Sequence, residues 1–75
     1  MVQVQVYPNP ASNYFSLDGN LAQITSIAVL DVTGKVVLRV ENPGDKIDIQ
    51  NLSNGIYTVQ IMTERGDQFQ KLQVN

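Results

Sequence analysis

Glycine cuts this chain into short pieces. Gly19, Gly34, Gly44, Gly55 and Gly66 each stand alone, and each ends a run in which apolar and polar residues alternate. Period-two alternation over such short runs is the pattern of half-buried strands. No stretch carries the longer 3.6-residue period of an amphipathic helix. The most regular run is Leu52–Met62, where Tyr57, Val59 and Ile61 alternate with Thr58, Gln60 and Met62. Asn54-Gly55 precedes it, and both residues tolerate positive φ at a sharp entry. This run is expected to be a central strand.

The rest of the chain falls into strands around it. Val2, Val4 and Val6 alternate with glutamines until Tyr7-Pro8-Asn9-Pro10. Two prolines remove two ladder donors, so this segment suits an edge crossing or a switch between sheets. Asn13–Asp18 reads as a strand with Phe15 and Leu17 on one face and Tyr14 and Ser16 on the other. Asp18-Gly19-Asn20 turns the chain. Ile24–Asp31 follows; a short helix over Leu21–Leu30 is the alternative, and the β-branched Ile24, Thr25, Ile27 and Val29 argue against it. Asp31–Lys35 has the composition of a hairpin connection, a type I turn closed by a left-handed Gly34.

Val36, Leu38 and Val40 mark the inner side of the next strand. Ile47 and Ile49 mark a shorter one. Thr63–Asp67 is a turn, and Gln68–Val74 is the last strand. In that strand Leu72 and Val74 share a face and Phe69 lies on the other, which requires either a bulge or an exposed Phe69. Partial exposure is the simpler solution.

About seven short strands without a helix give an all-β chain. The expected architecture is a small immunoglobulin-like antiparallel β-sandwich, Greek-key-like in its connections. A parallel sheet is excluded because no segment can serve as a crossover helix. Residues 2–75 form a single domain, and Met1 reads as a start codon placed before a domain cut from a longer chain. The expected core is Val4, Val6, Phe15, Leu17, Ile27, Val29, Val36, Leu38, Ile47, Ile49, Leu52, Tyr57, Val59, Ile61, Leu72 and Val74.

Composition narrows the function. With 75 residues, 43% hydrophobic and 16% charged, the chain is globular but its core is thin. The formal charge of −2 offers no basic footprint for nucleic acid. No apolar run is long enough to span a membrane. Cysteine and histidine are both absent, which removes disulfides, thiolate metal sites and the usual general base. Ser12, Ser16, Ser26 and Ser53 therefore have no histidine partner for a nucleophilic triad.

The acids offer little more. Asp45 and Asp48 flank Lys46, Asp31 lies near Lys35, and Glu64 and Asp67 flank Arg65. Each sits in a turn or on an outward position beside a base, where it reads as a solvated surface pair. Asp18, Asn20 and Asp31 are oxygen donors whose spacing matches no calcium loop. Asn51-Leu52-Ser53 has the form of a glycosylation sequon, but Leu52 is expected to point inward. No catalytic, cofactor or metal site follows from these residues, and the chain is not expected to be an enzyme. Tyr7, Tyr14 and Phe69 leave open a carbohydrate- or protein-binding adhesion module, and exposed sheet edges offer backbone pairing.

Three blocks go further: Val6-Tyr7-Pro8-Asn9-Pro10, then Ile27–Lys35 (Ile-Ala-Val-Leu-Asp-Val-Thr-Gly-Lys), then Leu52–Ile61 followed by Lys71-Leu72-Gln73-Val74. In this order and spacing the chain resembles the type A C-terminal sorting domain of type IX secretion system cargo proteins of Bacteroidetes. The resemblance covers about Val4 to Val74. It implies an address label at the end of a cargo protein, folded in the periplasm and recognised by type IX translocon components. Cargo then reaches the cell surface or is secreted, and a sortase-like surface peptidase removes the domain by cutting upstream of it. Carried over by position, the resemblance places recognition at Gly55, Tyr57, Lys71, Leu72 and Val74. Many members end in a basic residue; this chain ends Val74-Asn75.

Overall fold

The computed structural model describes residues 4–7, 11–19 and 23–75, and for Val4 the backbone alone. The expected core position of Val4, the Pro8–Pro10 break and the Asn20 turn position therefore lie outside the described residues. Seven strands are present: β1 (Val4–Tyr7), β2 (Tyr14–Gly19), β3 (Ile24–Leu30), β4 (Val36–Glu41), β5 (Lys46–Asp48), β6 (Gly55–Thr63) and β7 (Gly66–Val74). They form a three-stranded sheet, β1-β2-β5, and a four-stranded sheet, β4-β3-β6-β7. Every strand pair is antiparallel. This is the small immunoglobulin-like sandwich expected from the alternation, with the fourth strand in the larger sheet.

The core lies between the sheets because alternation gives each strand one apolar face. Phe15, Leu17, Ile47 and Ile49 come from the smaller sheet and its margins. Ile27, Val29, Tyr57, Val59, Ile61, Leu72 and Val74 come from the larger one, and all are buried. Leu38, Val40 and Leu52 close the periphery. The central placement of the Leu52–Met62 run holds, since β6 has β3 and β7 as neighbours.

The proline segment does what its lost donors implied. Tyr7 pairs with Ser16 in the smaller sheet, whereas Ala11 makes a parallel bridge to Val74 in the larger one. The Ala11 N–H donates to the Gln73 carbonyl at 2.7 Å, and its carbonyl accepts from Asn75 N–H at 2.8 Å. The Val6 N–H donates to Gln70 Oε1 at 3.2 Å. The chain thus runs beside β7 and switches sheets along the way.

Some expectations need correction. Val36 is 46% exposed, not core. The β3–β4 register shifts between Val29 and Leu30: Leu38 faces Val29, but Val36 faces Leu30, leaving Val37 as the extra residue. A bulge reverses side-chain parity beyond it, so Val36 turns to the outer face while Leu38 and Val40 stay inside. Ser16, expected outward, is buried, as are Ala11, Ile24 and Ala28, which the alternation did not place in the core. Asn54 is not in the positive-φ region, and the non-glycine residue that is proves to be Asn42. Gly34 has φ +89° and donates its N–H to the Asp31 carbonyl at 3.0 Å, as the hairpin reading required. β7 pairs with β6 without a shift, so Phe69 stands on the outer face, 61% exposed.

Candidate functional site

The five residues singled out in the sequence converge on one end of the larger sheet. Gly55 pairs with Val74, Tyr57 with Leu72 and Thr58 with Lys71. Strand parity then separates them. Tyr57, Leu72 and Val74 face the core and are buried, whereas Lys71 points outward and is exposed. In the folded domain the buried three act by shaping the strand, and Lys71 is the one whose side chain meets the surface.

Tyr57 has a second task. Its hydroxyl donates to the Ser53 carbonyl, four residues upstream, at 2.6 Å. A tyrosine near the start of this strand that bonds back to the preceding corner is a recurrent device of such sandwiches. It ties the Leu52–Gly55 turn to the core with one directional contact. Sequence reading assigned Tyr57 to the core and missed this bond; the Ser53-to-Tyr57 spacing at a strand entry was the available signal. Gly55 leaves room beside the ring, since a Cβ there would sit 4.0 Å from Tyr57 Cε1.

The opposite hairpin is held by Asp31. Its Oδ1 accepts from the Thr33 hydroxyl at 2.5 Å, Thr33 N–H at 2.9 Å and Lys35 N–H at 3.0 Å. These bonds, the Thr33 hydroxyl foremost, hold its carboxyl below the usual aspartate range. The other acids are dispersed. Glu41 pairs with Arg39 at 3.3 Å, Asp48 caps Gln50 N–H at 2.9 Å, and Asp67 accepts from Gln60 Nε2 at 2.8 Å. Among the described residues no group of three potential ligands could hold a metal ion. Nothing here converges as general acid–base chemistry requires.

The aromatic residues divide between the two sheets. Tyr7 and Tyr14 stand outward on the smaller sheet, and Lys46 Nζ lies 4.9 Å from the Tyr14 ring centroid. Phe69 stands on the far side of the molecule, on the larger sheet. The three do not make one platform.

The sequence profile of the secretion system C-terminal sorting domain matches residues 5–75. The chain belongs to this family. It is also similar to an endo-acting ulvan lyase of Formosa agariphila, 30% identical over 71 residues. That match takes in 91% of this chain and 14% of the relative's length, so the sorting domain spans a small part of the relative it matches. The sorting domain is a C-terminal signal for type IX secretion and is not itself an enzyme. It acts with the type IX system at the C-terminus of a cargo protein, and such cargo is exported to the cell surface or secreted.

Proposed function

We propose that translocon components of the type IX system read the sorting domain as a folded surface, with Lys71 as a direct contact. Gly55, Tyr57, Leu72 and Val74 contribute by building the strand pair that presents it. The observation that carries this reading is the parity of β7: Leu72 and Val74 are locked in the core while Lys71, between them and Phe69, faces outward. The domain folds in the periplasm during transit. At the surface a sortase-like peptidase cuts upstream of it and frees or anchors the cargo.

The test places residues 2–75 behind a periplasmic reporter in a type IX-competent host. The reporter is expected at the cell surface. Lys71→Ala should reduce surface reporter while the isolated domain melts as before. Tyr57→Ala should abolish export because the domain no longer folds. Full export of Lys71→Ala, or equal loss of folding in both variants, would contradict this division.

A further inference from the structure

We propose that Leu30, Val32, Val36 and Ile56, rimmed by Lys35 and Lys71, form a docking patch for an apolar, acid-rimmed surface on a partner protein. The inference rests on the export reading above and assigns it a surface. Register brings the residues together. Val36 faces Leu30, Leu30 faces Thr58, and Thr58 faces Lys71, all on the outer face of the larger sheet. Ile56 lies two residues before Thr58, so it shares that face one row further along. Val32 lies two residues past Leu30, and extending the antiparallel register sets it alongside Ile56.

These side chains are exposed without structural need. Val32 is 81% exposed, Val36 46% and Ile56 40%, with Leu30 half-buried. Single exposed apolar residues are ordinary, but four neighbours at one end of a sheet mark an interaction surface. The bulge at Val37 is what turns Val36 into the group, and bulges re-aim side chains beside functional surfaces.

Charge selects the kind of partner. The chain carries seven acids and five bases, yet the acids avoid this end of the face. Glu41 and Asp67 occupy the opposite end, facing Ser26 and Met62, and Glu64 lies in the turn beyond them. Asp18, Asp45 and Asp48 belong to the smaller sheet and its margins. Only Asp31 lies near the patch, with its Oδ1 occupied by the turn. Lys35 and Lys71 therefore give a local positive rim on a protein of net charge −2. Such a rim favours an acidic partner surface and steers its approach.

Position favours the same reading. The chain beside β7 runs parallel to it, with Val6 near Gln70 and Ala11 beside Val74. Upstream cargo therefore joins toward the Gly66 end, and the patch lies at the other. A partner can cover it without meeting the cargo.

The test uses the same reporter fusion with charges placed in the patch. Val32→Glu with Ile56→Glu should lower surface reporter by about tenfold or more, the scale expected when central apolar contacts are lost. Lys35→Glu should lower it and Lys35→Arg should keep it; the Lys35 backbone bonds to Asp31 are indifferent to either. Tyr14→Glu, on the other sheet, should export normally. Thermal melting of each isolated domain checks that the fold persists. Normal export of the Val32/Ile56 variant, or equal loss in Tyr14→Glu, overturns the patch alone. An unmodified fusion that stays inside the cell overturns the export reading as well.

Discussion

Tyr57→Phe isolates one hydrogen bond at the corner that precedes β6. Phenylalanine keeps the buried ring, so the packing is preserved and only the 2.6 Å bond to the Ser53 carbonyl is lost. A typical intramolecular hydrogen bond contributes about 0.5–1.5 kcal/mol net. An acceptor left buried and unpaired would add about 1–3 kcal/mol more. Ser53 is exposed, so water can replace the hydroxyl and that addition does not apply. The expected loss is therefore about 1 kcal/mol. For a domain of this size total stability is about 4–11 kcal/mol, so the variant still folds. Its melting temperature should fall by about 4–8 °C. Urea unfolding with an unchanged slope would show that the native state alone was affected. Ser53→Ala is the control, because the acceptor is a backbone carbonyl that alanine retains. A Tyr57→Phe variant within about 0.3 kcal/mol of the parent would refute the reasoning, as would an equal loss in Ser53→Ala.

The remaining predictions concern the core, the hairpin and its acid. Ile27→Ala should cost about 2–5 kcal/mol in denaturant unfolding, because Ile27 is fully buried, whereas Val36→Ala on the outer face should stay within about 0.5 kcal/mol. Gly34→Ala should destabilise by about 1–2 kcal/mol from its φ of +89° alone, since no atom lies within 4 Å of the added Cβ. Gly44→Ala, without that φ, should be neutral or slightly stabilising by the same melt. The lowered Asp31 pKa means that its carboxylate contributes stability above its unfolded value, and that this contribution fades as pH falls through the folded one. The stability difference between the parent and Asp31→Asn, followed by thermal melts from pH 6 downward, should therefore shrink below about pH 4; a gap that widens on acidification would contradict the assigned hydrogen bonds.

Alternation made most of this fold legible. Phe15, Leu17, Val59, Ile61, Leu72 and Val74 are buried where period two placed them, because a strand with one covered face has little freedom in register. Val36 escaped because a bulge is a tertiary accommodation between two strands, and its own strand carries no glycine or proline to announce it. Ala28 and Ser16 escaped for another reason. Both are small residues on an outer face, flanked by larger side chains on neighbouring strands, so they are covered without lying between the sheets. The docking patch was hidden for the same cause as Val36. Its members come from β3, β4, β6 and a turn, and only the register reveals that they meet.

The final strand carries two sets of demands on alternate residues. Its inner face needs Leu72 and Val74 where the sheets close on each other. Nearer its start the same face carries Gln68 and Gln70, and Gln70 accepts the Val6 N–H of the passing N-terminal segment. Polar residues are tolerated there because that row ends at the edge of the sandwich, where a side-chain amide stands in for a missing ladder partner. The outer face is thereby left free to vary for recognition. Parity couples the two only through backbone geometry, so a substitution at Lys71 can change the surface without touching the core, and one at Leu72 cannot. Folding and addressing can thus be tuned separately within nine residues of β7.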